Sequence, residues 1–320
     1  MTVNKERLSL EVLGNKIRDF INDSTIIKTN VYLNKTKGYW EQLWACMDTL
    51  GDTEISIKDF FKISPSDFEK SPYLFLYGLL QSLILQQDAV INMKESLFGV
   101  RTSQQLSSIL LNIRDIRNLT IGHPTKNEKS VKGTKVYCTI NRSSISKTGF
   151  EYIVWKTSTI DSKSVKFSEL VDEQYKVLAD ELEEILKKLV KTERLHKQKF
   201  KGKKLAIMLK TDGLYSFQLL SQLSFDELGW MAFLHYKDDY LKIKSEIEKR
   251  YGNINQTLRI PGTKIVIDEL DFIFEKIGIL KENKATNPIE LEIYADRLVD
   301  KLKELEEHLV EIDQEFGSND

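Results

Sequence analysis

The chemistry of this chain is concentrated in residues 113–125, which read I-R-D-I-R-N-L-T-I-G-H-P-T. Arg117 and Asn118 stand side by side at the end of an apolar helical pattern, and His123 follows between a glycine and a proline. A guanidinium binds phosphate oxygens as a planar fork, and an imidazole exchanges a proton near neutral pH. These residue types at this spacing therefore predict a site that acts on a phosphate ester.

Whether these side chains meet depends on how the helix ends. In a continuous helix the spacing of Arg117 and His123 places them about 120° apart around the axis, so they would not converge. Gly122 readily adopts the left-handed conformation that ends a helix, and Pro124 prevents the helix from resuming. We therefore expect a left-handed Gly122 to release His123 toward Arg117 and Asn118. The alternative is an ordinary helix end, which cationic side chains and a Gly–Pro stop also favour.

The segment from Arg117 to His123 resembles the motif of the HEPN family (higher eukaryotes and prokaryotes nucleotide-binding domains). In that motif an arginine, a polar residue such as asparagine and a histidine a few positions later stand at a helix end. The resemblance covers about residues 39–200. One subclass has a tyrosine two residues after the histidine, and Thr125 stands at that position here. The subclass that is controlled by tyrosine nucleotidylation is therefore disfavoured.

The resemblance implies RNA cleavage without a metal, by a homodimer in which the motifs of two subunits line one cleft. His123 would take the proton of a ribose 2′-hydroxyl, which then attacks the adjacent phosphate. Arg117 would stabilise charge on the phosphoryl oxygens. Asn118 would position a phosphate oxygen or the imidazole.

A polar stripe on the preceding helical pattern, Pro72–Phe98, is the second part of the predicted site. Its members follow helical spacing and are Gln81, Asp88, Asn92 and Glu95. Glu95 or Asp88 is expected to orient His123 if this face is turned to the cleft, and Arg114 lies one turn before the motif on nearly the same side. The alternative is that the stripe is the solvated side of a helix.

A run of basic residues lies further along the chain, between Lys187 and Lys204. Nine of its 18 residues are Lys or Arg, against one Glu. Such a run can follow the phosphate backbone of RNA. We assign that role to Lys197, Lys199, Lys201, Lys203 and Lys204. The alternative is a solvated helix end and linker.

The composition excludes several functional classes. A formal net charge of −1 over 320 residues argues against a uniformly basic surface, so any contact with RNA must be local. The four histidines are far apart in sequence, neither cysteine belongs to a C-x-x-C pair, and no phosphate-binding loop or G-x-S-x-G motif occurs. We therefore expect a site with no metal and no cofactor.

The sequence also predicts a cellular setting. The two cysteines, Cys46 and Cys138, are far apart, as in reduced cytoplasmic proteins. We find no apolar run that approaches the roughly 20 residues of a membrane span and no signal-peptide pattern. We expect a soluble, cytoplasmic protein.

Hydrophobic spacing predicts a mainly α-helical chain. Residues 1–200 are expected to form a HEPN-like helical bundle with a β-hairpin insertion at about 134–156. Residues 203–320 are expected to form a smaller C-terminal helical domain, beyond a boundary near Gly202. Within this second domain Leu205–Leu209 has the composition of a short strand.

Three functions are consistent with these patterns. The first is a HEPN-type endoribonuclease, acting as a toxin or antiviral defence effector. The second is a non-catalytic HEPN-like module that binds RNA or nucleotides. The third is a helical interaction protein whose last helix, residues 288–316, binds a regulatory protein or a second copy through a leucine stripe.

Overall fold

The structure is a computed structural model, mainly helical with one small three-stranded sheet. It confirms the prediction of a mainly α fold in that coarse form. The chain divides into two compact units, Met1–Asp23 with Asn34–Leu189 and Ser24–Leu33 with Val190–Asp320. The residues that the structure describes are 10–24, 26–27, 38–99, 106–125, 136–156, 159–209, 217–220, 227–255, 260–282 and 287–317.

The described part of the first unit begins with a series of helices, one of which is long and apolar. They are α1 (Leu10–Asp23), α2 (Tyr39–Lys62), α3 (Pro65–Lys70), α4 (Pro72–Phe98) and α5 (Ser108–Arg117). The α4 helix carries Pro72 in its first turn, where a missing N–H is tolerated. It ends at Gly99, whose φ of 64° lies in the left-handed region that favours glycine.

The first unit also contains an antiparallel sheet in the order β1-β2-β3, formed by β1 (Tyr137–Ile140), β2 (Gly149–Trp155) and β3 (Ile160–Lys166). The predicted hairpin corresponds to β1 and β2, but the sequence did not reveal β3. Only Ile160 and Val165 of β3 are apolar, so it lacks a strand-like hydrophobic pattern. Its place comes from pairing with β2, where Phe150 is opposite Val165 and Trp155 is opposite Ile160.

Helix α6 (Phe167–Phe200) follows the sheet and is joined to α2 and α4 by buried polar groups. The Gln174 carboxamide accepts from Gln87 at 2.7 Å and donates to Gln86 at 2.9 Å. Glu54 of α2 accepts from Gln86 at 3.4 Å and from the Tyr175 hydroxyl at 2.6 Å. This network holds one face of α4 toward the core and leaves the opposite side for α5.

The division between the units falls inside α6, between Leu189 and Val190, whereas the sequence placed a boundary near Gly202. The described helices after it are α7 (Leu205–Leu209), α8 (Phe217–Leu220), α9 (Glu227–Tyr251), α10 (Pro261–Glu282) and α11 (Pro288–Gly317). They enclose a core of their own, with Phe233, Leu270 and Leu298 at most 1% exposed.

The segment Leu205–Leu209 is a helix, so the prediction of a strand was wrong. The backbone N–H groups of Leu205 and Ala206 donate to the Asp313 carboxylate at 2.8 and 2.9 Å. A distant side chain on α11 therefore satisfies the free donors at the start of this short helix. The local pattern holds no sign of that partner.

One described helix, α4, is long and apolar enough to cross a membrane by length and composition alone, although the sequence reading found no such run. Within its most apolar window 56% of the residues are buried inside the protein. The core helix of a water-soluble protein passes the same test.

Candidate functional site

The predicted motif lies where α5 changes its helical geometry. Helix α5 begins after Ser107, whose hydroxyl accepts from the Leu110 N–H at 3.3 Å. After Arg117 the chain continues as a π-helical turn, Asn118–Gly122, and the His123 N–H donates to the Asn118 carbonyl at 2.6 Å. Such turns are rare and widen the helix. The turn therefore diverts the chain before His123.

Gly122 does not have the left-handed conformation that the sequence analysis expected. The described glycines with positive φ are Gly38, Gly99 and Gly252. Gly122 instead provides space, since an added Cβ would lie 3.0 Å from Nη1 of Arg117 and 3.4 Å from Oδ1 of Asn118. The π-helical turn redirects the chain, and the missing side chain lets Arg117 fold over it.

The Arg117 guanidinium is held by two amide oxygens. Its Nε and Nη2 atoms donate to Oε1 of Gln81 at 3.3 and 2.9 Å, and Nη1 donates to Oδ1 of Asn118 at 2.9 Å. We call Gln81, Arg117, Asn118 and Gly122 the Arg117 cluster. Sequence reasoning placed Gln81 in the polar stripe of α4 but did not include it among the site residues. Its spacing in that stripe was the available signal.

One turn earlier, Arg114 has a different type of partner. It donates to the carboxylate of Asp88 on α4, and its buried Nε atom has no partner among the described residues. Asp88, which was expected to orient His123, thus forms an ion pair with Arg114. Glu95 lies half-buried about two turns further along α4. Its predicted role beside His123 stays a prediction.

His123 is an exposed residue directly beyond the Arg117 cluster. Its backbone is tied to Asn118, but no hydrogen bond joins its imidazole to Arg117 or Asn118 within the described part of the chain. The structure therefore brings Arg117, Asn118 and Gln81 into direct contact, whereas His123 is exposed and is linked to Asn118 through its backbone.

The sheet supports the end of the motif. The Cys138 N–H of β1 donates to the Pro124 carbonyl at 2.9 Å. Tyr152 of β2 is 3% exposed, and burial, with smaller effects of Cys138 and Asp115, raises the pKa of its phenol to about 12. Asp115 belongs to α5, so this neutral phenol lies close to the motif helix. The β insertion thus packs on the segment that carries the candidate chemistry.

The lysines proposed for RNA binding differ in their surroundings. Lys197 is paired with Glu193 at 3.5 Å, and Lys203 with Glu246 at 3.6 Å. Lys203 is nevertheless exposed, as are Lys199, Lys201 and Lys204. Two of the predicted cations are therefore partly neutralised by neighbouring carboxylates.

Other site chemistries find little support in the described residues. No group of three or more His, Cys, Asp or Glu side chains is placed to hold a metal ion in that part of the chain. Cys46 and Cys138 are buried free thiols, and burial raises the pKa of each to about 11. Since a thiolate is the reactive form, neither is suited to act as a nucleophile.

Comparisons of the chain with protein-family models, with curated proteins and with solved structures found no match.

Proposed function

We propose that this protein is a HEPN-type endoribonuclease that cuts RNA without a metal ion. The observation that carries the proposal is the Arg117 guanidinium, which neutral acceptors hold at a half-exposed helix end, against Gly122, the residue before His123. A cation that is oriented but not neutralised is suited to stabilise an anionic phosphoryl group.

The proposed reaction needs a base, an acid and a stabilising cation. The His123 imidazole takes the proton of a ribose 2′-hydroxyl, and the oxygen attacks the adjacent phosphorus. The bond from phosphorus to the 5′-oxygen breaks, and the leaving oxygen takes a proton from an imidazolium. The products are a 2′,3′-cyclic phosphate and a 5′-hydroxyl. Arg117 stabilises the charge on the phosphoryl oxygens during this exchange.

A second copy of the chain would supply the second histidine. Three large side chains of α4 are in line with Gln81 at helical spacing and are exposed by 69%, 44% and 42%, namely Leu74, Tyr77 and Leu85. Leu111 of α5 is 44% exposed and lies one turn before Arg114. An apolar surface around a polar cluster is typical of a binding face, and two-fold pairing would bring two Arg117 clusters together.

The test is cleavage of a single-stranded RNA by the full-length protein in EDTA. We expect products that end in a 2′,3′-cyclic phosphate. His123→Ala should reduce the rate by about 10²- to 10⁴-fold and Arg117→Ala by about 10²-fold or more. His235→Ala is the matched control, since that histidine lies in the second unit beside Asp239. Wild-type protein that leaves the RNA intact, or His123→Ala protein that cuts normally, would refute the proposal.

A non-catalytic module that binds RNA is the second candidate. The observation that favours it is the His123 imidazole, which no described side chain orients for proton transfer. The exposed lysines of the basic run, including Lys199 and Lys204, would add backbone contacts. Binding that weakens steeply with salt, without any cleavage, is the result that separates this candidate from the first.

A regulatory protein partner on the C-terminal helices is the third element of the proposal. The leucine stripe that the sequence assigned to this role is buried in the core of the second unit, so it is not available to a partner and other side chains must supply the surface. Phe272 of α10 and Ile289 and Ile293 of α11 are exposed by 51%, 65% and 62%. Phe272 contacts Tyr294 of α11 with ring centroids 6.4 Å apart, and Ile289 and Ile293 are about one turn apart on the same helix. Loss of a captured partner on Ile293→Glu substitution, with RNA binding unchanged, would assign this surface a role of its own.

A further inference from the structure

Two arginine–acceptor pairs lie side by side between α5 and α4. Arg114 donates to the carboxylate of Asp88, and Arg117 donates to the carboxamide of Gln81. The acceptors are about two helical turns apart on one face of α4, and the arginines are about one turn apart on α5. The two acceptor groups, a carboxamide on Gln81 and a carboxylate on Asp88, are both planar and differ by one negative charge, and the Gln81 side chain is longer by one methylene.

That difference in charge decides how much positive charge each arginine can offer to a further anion. A carboxylate in contact with a guanidinium neutralises it, and the pair then has little attraction for a further anion. A carboxamide oxygen accepts the same hydrogen bonds but leaves the positive charge in place. The second acceptor of Arg117, Asn118, is also a neutral amide. Arg117 is therefore oriented by two side chains and neutralised by neither.

The hydrogen-bond inventory of Arg117 is consistent with this role. A guanidinium has five N–H donors. The bonds to Gln81 use Nε and Nη2, and the bond to Asn118 uses Nη1. One N–H on each terminal nitrogen is left for a ligand. Gly122 lies against the same group and has no side chain to cover it.

We propose that Gln81 is the positioning residue of the site, holding Arg117 so that its uncompensated charge meets an RNA phosphate, while Asp88 compensates the charge of Arg114. This inference rests on the proposed function for the identity of the anion. Within the motif helix it assigns phosphate binding to Arg117 and a structural role to Arg114.

The experiment reverses the charge of the two acceptors, making the neutral one negative and the negative one neutral. Gln81→Glu adds a carboxylate to Arg117, and Asp88→Asn removes one from Arg114, with almost no change in side-chain volume. Both are made in full-length His123→Ala protein, so that binding of a single-stranded RNA oligonucleotide is measured without cleavage over a range of KCl concentrations. Thermal melting of each variant verifies that it is folded.

We expect opposite effects from the two substitutions. Gln81→Glu should weaken binding about tenfold at roughly 0.1 M salt and reduce the slope of log K against log salt by about 0.7 per site. Asp88→Asn should maintain or strengthen binding, with an equal or steeper slope. A purely structural contribution of Gln81 would not change the salt slope. Equal affinity and slope for Gln81→Glu and its parent, or parallel losses in both variants, would overturn the inference.

A third variant examines the orientation of Arg117. Gln81→Ala retains the charge of Arg117 and removes one of its two acceptors. This variant is made in protein that retains His123, so that cleavage can be measured. We expect kcat to fall by about tenfold and KM to change less, because a displaced guanidinium still attracts RNA but no longer fits the transition state. A change confined to KM would contradict this role.

The outcomes distinguish this inference from the proposed ribonuclease. If the wild type binds RNA without cutting it, and the two acceptor variants still move in opposite directions, the nuclease proposal fails and the role of Gln81 in binding stands. If the wild type cuts RNA and Gln81→Glu behaves like its parent, only this inference fails. A parent protein that does not bind RNA overturns both.

Discussion

Arg250 in the second unit and Arg117 in the first are held in opposite ways. The Arg250 side chain is 0% exposed and lies 3.1 Å from the Asp313 carboxylate. Its guanidinium carbon is 5.5 and 5.1 Å from the ring centres of Phe200 and Phe316. Arg117 lies half-buried at a helix end, and its acceptors among the described side chains are amide oxygens.

The charge of Arg250 serves to join helices, whereas the charge of Arg117 stays available to bind an anion. Asp313 also accepts the first N–H groups of α7, and Arg250 donates to the Lys203 carbonyl, so the pair joins α7, α9 and α11. A buried guanidinium without a carboxylate would be strongly destabilising. Because Arg117 is close to solvent, its guanidinium does not require a carboxylate partner and can be held by neutral acceptors.

The largest expected effect comes from removing each arginine in turn. Arg250→Met leaves Asp313, whose side chain is 12% exposed, without its cation. We expect the free energy of unfolding of the second unit to fall by about 3–5 kcal/mol. Arg117→Met loses hydrogen bonds near the surface and should lower it by about 1 kcal/mol or less. Urea unfolding measures both, with hydrogen exchange of α9 and α11 to assign the change to the second unit.

The double variant Arg250→Met, Asp313→Asn is the control, and it should regain part of the lost stability because no charge remains buried and the amide oxygen still accepts from the start of α7. Equal losses for Arg250→Met and Arg117→Met would abolish the distinction between the two arginines.

An intermediate effect is expected from Gly122→Ala. The new Cβ would lie 3.0 Å from Nη1 of Arg117, so the guanidinium must move, although the backbone conformation accepts alanine. We expect RNA binding to weaken by about tenfold, or 1.4 kcal/mol, with stability changed by less than about 1 kcal/mol. Gly51→Ala is the control, since its added Cβ would have no atom within 4 Å apart from the adjacent residues and the backbone of its own helix. Equal RNA affinity for the two alanine variants would show that the position of Arg117 is unimportant for binding.

The smallest effect concerns pH and the surroundings of Arg250. His196 donates from Nε2 to the Arg250 carbonyl at 2.9 Å. Burial lowers the pKa of its imidazole, Lys199 contributes in the same direction, and the bond to the carbonyl opposes the shift. Because the unfolded state then binds more protons, the stability from His196 is full above the ordinary pKa of about 6.5 and falls as the pH drops toward the folded value.

His196→Gln provides the measurement, since glutamine retains an N–H donor and does not titrate. Urea unfolding followed by circular dichroism at about pH 8 and about pH 5.5 should show a larger loss of stability in the wild type than in the variant. Identical pH dependence in both proteins would contradict the lowered pKa. The Arg117 cluster contains no titratable carboxylate or imidazole, so Gln81→Ala should leave the pH dependence of unfolding unchanged.

Periodicity predicted more of the helices than of the rest of the fold. The long apolar pattern of α4 and the charged pattern of the last helix both became helices close to the predicted bounds. Strand β3 and the short helix α7 were missed because each is held by distant partners, β2 in one case and Asp313 in the other. Local composition does not encode such partners.

The candidate site divides in the same way. Arg117 and Asn118 are adjacent in the chain, so their contact could be expected from sequence. Gln81 is 36 residues from Arg117, and Asp88 is 26 residues from Arg114. Which member of the polar stripe meets which arginine depends on how α4 and α5 pack. The basic run shows the same limit, because Glu246, which pairs with Lys203, comes from another helix.

The amino-acid sequence alone determined that an arginine, an asparagine and a histidine follow one another at the end of an apolar helix, because residue order and helical spacing are local properties. The structure alone determined that Arg114 is neutralised, that Arg117 keeps its charge, and that Gly122 acts through space rather than through a left-handed turn. The physical reason is that hydrogen-bond acceptors and free space come from other elements. Tertiary packing brings these elements together, and with them the charge that the proposed chemistry requires.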